Sequence, residues 1–318
     1  MVEPAMPRGG IDLGGTKIEV VILDDGERPV AQSRHPTPAA GGPPAIVEAI
    51  AGAVREAAAA VGGVEALAGV GVGSPGVVDT EAGTVSSARN LSDWEGTFPL
   101  GPKLSDALGG LPVRVGNDVA VALEAEVALG AGRTHPSFLG VWWGTGVGGS
   151  LVLDGRRLPG GELGHTVVRM GGARCGCGRR GCLEAYAGRG SMERRARQLA
   201  DRGAKTELFR IARKRERERL TSGVWAKALE EGDELAARLI ERAVRALAAG
   251  AASIRNLIEY DAVVLGGGLG TRFADTAPQR IAEAMQAHLF VPERAPAVVS
   301  AELGDLGGAI GAARLLAP

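Results

Sequence analysis

Residues Gly160 to Tyr186 read G-G-E-L-G-H-T-V-V-R-M-G-G-A-R-C-G-C-G-R-R-G-C-L-E-A-Y. The stretch holds His165 and then Cys175, Cys177 and Cys182, which are the chain's three cysteines. Four soft or borderline donors within eighteen positions suit a tetrahedral Zn²⁺ with no open coordination position, a structural metal. Gly176, Gly178 and Gly181 let the backbone turn tightly enough for several thiolates to meet at one ion. Glu162 precedes the cysteine knuckle and Glu184 follows it, so a metal would fix a loop whose two ends carry carboxylates. The plainer reading, three thiols near a stray histidine, fits poorly with every cysteine falling inside eight residues.

The chain has 318 residues, enough for two domains with a core each. Apolar residues make up 45% and charged residues 23%, as in ordinary globular proteins. A formal net charge of −1 argues against electrostatic capture of nucleic acid or a membrane surface. The segment Met1 to Gly10 carries Pro4 and Pro7 and lacks the apolar stretch of a signal peptide. No run approaches the roughly 20 apolar residues that span a bilayer. Three cysteines cannot pair completely, and a thiolate metal site requires reduced sulfur. A cytoplasmic protein is therefore expected.

Fifty glycines are spread as G-G and G-x-G clusters beside apolar runs, a pattern of strand-to-loop turns. Gly10 to Leu13 predicts a strand that enters Gly14-Gly15-Thr16-Lys17, and Ile18 to Leu23 continues as a second strand. This bend, with Asp12 beside it, can wrap a phosphate in backbone N–H groups. It lacks the P-loop spacing and a strand follows it, not a helix. An ordinary hairpin is the plainer reading. A helix is expected over Ala45–Val61, opened by Pro43 and Pro44. Val70 to Val72 predicts a buried strand running into Gly73-Ser74-Pro75-Gly76. Asn90 lies in a polar connection, as a substrate contact or merely a turn cap. Asn117 and Asp118 lie between a strand and the helix Val119–Leu129, where α/β sheets form ligand crevices and where helix caps also favour Asn and Asp.

Phe138 to Trp143 leads into Gly144-Thr145-Gly146-Val147-Gly148-Gly149. That run matches G-x-G-x-x-G, yet the following S-L-V-L-D-G reads as a strand, and a dinucleotide site needs a helix there. NAD binding is rejected on this ground. Lys205 to Arg219 reads as a solvated helical face of mixed charge. A long buried helix is expected over Asp233–Leu257, then a strand Asp261–Leu265 entering a third glycine turn at Gly266–Gly270. A helix (Ala277–Leu289), a strand (Val298–Ser300) and a closing helix (Leu306–Leu316) complete the pattern. Three glycine turns after apolar strands suggest two sheet domains sharing a nucleotide cleft.

In the order I-D-L-G-G-T-K, G-S-P-G, G-N-D, G-T-G-V-G-G, G-E-L-G-H, C-G-C-G-R-R-G-C-L-E and V-L-G-G-G-L, the sequence resembles the ROK family (repressor, open reading frame, kinase), and among its members looks most like bacterial glucokinases. The resemblance implies a two-domain, actin-like (ribonuclease H-like) α/β sugar kinase fold with a structural zinc loop. Its domains would be 1–117, joined by a C-terminal helix at about 304–318, and 118–303. It implies ATP-dependent phosphorylation of a hexose, glucose foremost, with Asp118 as general base. Gly76, Asn90, Asn117, Glu162, His165 and Glu184 would contact the sugar. Asp12, Gly14, Gly15, Thr16, Lys17, Gly144, Thr145 and Gly146 would serve the phosphates and Mg²⁺, with Gly267 and Gly268 beside the adenosine. His165, Cys175, Cys177 and Cys182 would hold Zn²⁺. Hexose and ATP are the implied partners, with no nucleic acid and no membrane, in a homo-oligomer (dimer or tetramer). The family commonly has N-x-x-N-P where this chain has Asn256-Leu257-Ile258-Glu259-Tyr260. Its sugar-responsive repressors carry an N-terminal helix-turn-helix, for which the residues before Ile11 leave no room. Fructose, mannose, an N-acetylated amino sugar, or polyphosphate as donor remain open at this point.

Overall fold

Strand β1 (Arg8–Leu13) buries Ile11 and Leu13 and pairs antiparallel with β2 (Lys17–Leu23), which pairs antiparallel with β3 (Pro29–Pro36). The computed structural model describes residues 6–88 and 90–317. These belong to two units, Met1–Leu129 with Asp305–Pro318, and Gly130–Gly304.

In the first unit, α1 (Gly42–Ala58) has Pro at its start and turns Ile46, Val47, Ile50 and Val54 inward. Strand β4 (Gly69–Ser74) then joins β1 in parallel. A small sheet of β5 (Val77–Asp79), β6 (Thr84–Ser86) and β7 (Thr97–Phe98) follows. After α2 (Leu100–Ala107), β8 (Val113–Asn117) adds in parallel to β4 and runs directly into α3 (Asp118–Leu129). The main sheet has the order β3-β2-β1-β4-β8.

The C-terminal helix Gly307–Ala313, G-G-A-I-G-A-A, is built from small residues because it lies backbone to backbone on its neighbours. A Cβ on Gly10 of β1 would come within 1.9 Å of the Ala309 carbonyl oxygen, and one on Gly71 of β4 within 1.8 Å of that of Ala312. One on Gly311 would come within 1.9 Å of the Val121 carbonyl oxygen in α3. That contact explains a difference from the expected division. Helix α3 groups with the first unit, so the boundary falls after Leu129, not before Asp118.

The second unit repeats the scheme. Strands β9 (Phe138–Trp143), β10 (Val147–Leu153) and β11 (Arg156–Arg157) form an antiparallel meander. Short α4 (Glu184–Ala187) precedes α5 (Arg189–Ala200), α6 (Leu208–Lys214), α7 (Ser222–Glu230) and the long α8 (Glu234–Arg255). The Asp233 side chain caps α8, accepting the Ala236 N–H at 2.8 Å. Strand β12 (Ala262–Gly266) pairs in parallel with β9, α9 (Gly267–Arg272) and α10 (Ala277–Gln286) follow, and β13 (Ala297–Ser300) closes the sheet as β11-β10-β9-β12-β13. No helix of the described residues is long and apolar enough to cross a membrane.

Two elements differ from the sequence expectation. The charged segment is helical only over Leu208–Lys214, where Leu208, Ile211 and Ala212 are buried. Beyond Ala212 no apolar side chain recurs until Leu220, so nothing seats another turn. The glycines after β12 open a helix in place of a turn, with Gly267 at φ +80°.

Substituting Gly71→Ala forces a methyl into a backbone carbonyl. Overpacking of this kind costs about 1–3 kcal/mol, and about 2–4 °C of Tm accompanies each kcal/mol in a chain of this size. Thermal denaturation should show the fall for Gly71→Ala and not for Gly52→Ala, whose added Cβ meets nothing within 4 Å.

Candidate active site and metal centre

The parallel register of the first sheet gathers one group of site residues. Asp12 lies beside Gly73, and Ser74 beside Asn117, so the ends of β1, β4 and β8 form one edge. Asp118 begins α3 at that edge, with its Oδ1 accepting the Val119 N–H at 2.9 Å. Asn117 Oδ1 accepts the N–H groups of Val119 and Ala120, each at 3.1 Å, so the amide caps the helix. Its Nδ2 donates to the Gly76 carbonyl at 3.5 Å, drawing the G-S-P-G loop toward the same edge. Gly76 sits at φ +101°, and a Cβ there would meet the Ser86 carbonyl oxygen at 2.5 Å. The Gly14–Lys17 bend closes the β1–β2 hairpin with Gly14 N–H on the Lys17 carbonyl at 2.9 Å. Asn90 is exposed, and its carbonyl packs where a Gly15 side chain would have to be, 2.5 Å away.

Burial pushes the Asp12 carboxyl up to about 7, with the negative charges of Asp118, Glu19 and Asp305 adding and the Lys17 ammonium opposing. Asp118 is also raised by burial, against the hydrogen bonds it accepts from backbone N–H groups and from Asn117. Burial of this kind strengthens a carboxyl group's hold on its proton. Sequence reasoning missed the ion network beside Asp12. Buried Glu19 accepts from Lys17 Nζ at 2.9 Å and pairs with Arg34 at 2.7 Å, and both cations lie 3.7 Å from Asp305. A lone glutamate inside the apolar run I-E-V-V-I-L was the available signal.

The second unit gathers the remaining residues. The Gly144–Gly146 bend joins β9 to β10, with Gly144 N–H on the Gly146 carbonyl at 3.0 Å. Gly268 N comes within 3.9 Å of where a Gly144 Cβ would sit, so the second and third glycine runs meet. Glu184 Oε2 accepts the Val147 N–H at 3.0 Å, and a Cβ on Gly146 would meet that oxygen at 2.3 Å. Its Oε1 lies 3.9 Å from Cys175 Sγ. Glu184 thus bridges the bend and the cysteine knuckle. Glu162 is exposed, and its carbonyl accepts the His165 N–H at 2.9 Å. Arg189, another residue missed from sequence, donates from Nη2 to Thr145 Oγ1 at 2.8 Å.

The donor atoms of His165, Cys175, Cys177 and Cys182 all lie within 4.8 Å of one another. His165 Nδ1 is 3.8 Å from Cys175 Sγ, and Cys177 Sγ is 3.8 Å from Cys182 Sγ. Tetrahedral zinc with bonds of about 2.3 Å to sulfur needs sulfurs about 3.8 Å apart. The donor set fits that ion. The knuckle is tight: Cys175 N–H donates to the Arg179 carbonyl at 2.8 Å, and a Cβ on Gly181 would meet the Arg169 carbonyl oxygen at 1.9 Å. The Arg179 backbone N–H lowers the Cys177 thiol to about 6, whereas burial raises Cys175 to about 12 and Cys182 in the same direction. The neighbouring thiols favour ionisation of Cys177 and oppose that of Cys175, and a divalent cation would favour the thiolate at all three.

The candidate sugar contacts are divided between the units, with Gly76, Asn90, Asn117 and Asp118 in the first and Glu162, His165 and Glu184 in the second.

Asp12 generates a pH prediction for stability. Its folded pKa of about 7 exceeds the ordinary 3.8, so between those values the folded state holds a proton that the unfolded state has lost. Stability from this group is full below about pH 4 and falls as pH rises through 7. Asp12→Asn should therefore be more stable than the parent at pH 8, on the order of 1–3 kcal/mol, with the gap closing toward pH 4. Urea unfolding at both pH values checks this, and a gap that widens on acidification would contradict the assignment.

Residues 8–318 match the ROK family. The chain is 32% identical to a glucokinase of Streptomyces coelicolor, over 96% of both chains. It is 34% identical to an N-acetyl-D-glucosamine kinase of Salmonella heidelberg, over 96% of this chain and 98% of that one. A ROK family glucokinase of Streptomyces griseus, crystallised in complex with glucose and AMPPNP, superposes with a TM-score of 0.80 at 31% identity, covering 97% of this chain and 98% of that one. With the matched length, these likenesses and the mixed α/β architecture together, the chain belongs to the ROK family and has the fold of its sugar kinases.

Proposed function

We propose that the protein transfers the γ-phosphoryl group of ATP to the 6-hydroxyl of a hexose, glucose first among them. The observation that carries this reading is Asp118, a half-buried carboxylate raised in pKa, at a strand-to-helix junction beside Asp12 and the Gly14–Lys17 bend. In this reading Asp118 takes the proton from the sugar hydroxyl as the oxygen attacks phosphorus. Gly76, Asn90, Asn117, Glu162, His165 and Glu184 hold the remaining hydroxyls, which suit carboxylates and amides because each both donates and accepts. Phosphoryl transfer needs positioning and charge stabilisation more than covalent help. The backbone at Gly14, Gly15, Thr16, Gly144, Thr145 and Gly146 serves that need, with Lys17 beside the first bend and Gly267 and Gly268 beside the adenosine. Asp12 carries the charge that would face Mg²⁺ arriving with ATP. A 2-acetamido sugar is the second reading, supported by the N-acetyl-D-glucosamine kinase at 34% identity.

Zn²⁺, when bound, would cross-link the knuckle without taking part in the reaction. His165 would present Nδ1 to the metal, the nitrogen that faces Cys175, and keep its other nitrogen for a sugar hydroxyl. Thiolate ligation fits the cytoplasm, where thiols stay reduced.

An ADP-release assay over glucose, mannose, fructose and N-acetylglucosamine, with ATP or polyphosphate as donor, tests the reading. Turnover with none of them would end it. A general base contributes roughly 10²–10⁴-fold, so Asp118→Asn should lose that much of kcat while hexose affinity stays near that of the parent. Near-normal turnover in this variant removes Asp118 from the role.

For the metal, elemental analysis should find about one zinc per chain, lost together with hexose affinity in Cys177→Ser. Zinc retained by that variant would refute the ligand set.

A further inference from the structure

We infer that Arg189 is a donor-phosphate contact, its guanidinium working with the Gly144–Gly146 bend and the Thr145 hydroxyl to hold a phosphate group of the nucleotide. The inference deepens the kinase reading and rests on it. Arg189 opens α5, and its backbone N–H donates to the Gly144 carbonyl at 3.1 Å while that of Gly190 donates to Thr145 at 3.0 Å. With Nη2 on Thr145 Oγ1 at 2.8 Å, three bonds hold the arginine and the bend as one piece.

The guanidinium is short of an anion. It carries five N–H donors and no acceptor, and it is half-buried, which with the nearby Arg219 charge depresses its pKa despite Glu193. Among the described residues no carboxylate forms an ion pair with it. Glu193 is committed elsewhere, to Arg197 at 2.8 Å, to the Leu220 N–H at 3.0 Å and to Arg219 at 3.6 Å. The like charge of Arg219, itself 3.6 Å from Glu193, adds to the cost of charging Arg189, which a nearby anion would offset. A phosphate suits that position because a guanidinium meets it with paired N–H bonds.

Next to Arg189 the backbone carries no side chain, at Gly190. A side chain added at Gly190 would meet only the Thr145 carbonyl oxygen at 3.6 Å and Arg194 Nη1 at 3.7 Å, ordinary contact distances. Gly268, beside the bend at Gly144, would leave the nucleoside on that side. Arg219, the last residue of the charged segment, then adds positive potential at Arg189.

The test is calorimetric titration of the full chain with ADP and with adenosine, which lacks phosphate. Losing a charge-assisted contact should weaken ADP binding about 10- to 100-fold in Arg189→Gln and leave adenosine unchanged, with Arg189→Lys in between. A purely structural role would weaken both ligands equally, and that result overturns the inference, as does ADP affinity equal to that of the parent. Should Arg189→Gln not fold, the ADP-to-adenosine ratio in Arg189→Lys decides by the same criterion. Because no turnover is read, the two failures separate. A chain that shows the ADP-specific loss yet phosphorylates no hexose keeps Arg189 and ends the kinase reading. A hexose kinase whose variant binds ADP normally does the reverse.

Discussion

Main-chain atoms touching main-chain atoms across missing side chains hold the first unit in its working shape. Gly10, Gly71 and Gly311 let the C-terminal helix, two central strands and α3 approach until a methyl on any of them would sit within 2.6 Å of a backbone atom. Dense packing has little tolerance for such an insertion. The closeness has a chemical result, because it ties the start of α3 to the ends of β1 and β4. Asp118 is thereby near enough to Asp12 for its charge to add to the rise that burial causes there, and a looser interface would dilute that effect.

Two negative groups side by side cost free energy in the absence of a cation, and the first unit answers with its own. Lys17 sits between Glu19 and Asp305, and Arg34 spans the same two carboxylates. Both cations are therefore already committed, which leaves Asp12 with only a distant share of Lys17. On the proposed reading, a cation accompanying a polyphosphate would offset the negative charge left at Asp12. This arrangement differs from the corner at Arg189, where positive charge is in excess. On the proposed reading the Asp12 end would favour a metal cation and the Arg189 corner a phosphate anion.

The elements that sequence read correctly are those with a strong local signature. Apolar runs bounded by glycine gave β1, β4, β9 and β12, and the periodic apolar stripe with Asp233 as cap gave α8. The rejection of a dinucleotide fingerprint at Gly144 rested on the strand after it, and β10 is that strand. What escaped was set by distance along the chain. Asp305 reaches Lys17 and Arg34 from the far end of the chain, and Arg189 reaches Thr145 across 44 positions. No local pattern encodes such meetings. The helix after β12 was misread because glycine is a poor helix former, yet Gly267 lies against the Trp143 backbone, 2.8 Å from a would-be Cβ, so no larger residue could begin that helix there.

The cysteine knuckle shows why a metal suits this part of the fold. Between Val167 and Cys182 the chain is dominated by glycine and arginine, with Val167 and Met170 exposed. Its own buried cluster is little more than Cys175, Cys182, Ala185, Tyr186 and Ala246. So small an apolar interior cannot offset the entropy of ordering the loop. Tyr186 helps, accepting the Ala173 N–H at 2.8 Å with the Arg242 guanidinium 4.5 Å over its ring, but these contacts are few. A metal at the four converging donors would substitute for the missing core, its binding free energy then adding to local folding free energy. The consequence passes to Glu184, two residues beyond Cys182, whose carboxylate holds the β10 end of the glycine bend through Val147. Order in the knuckle and order in the bend are then one property, since the same short helix α4 carries both.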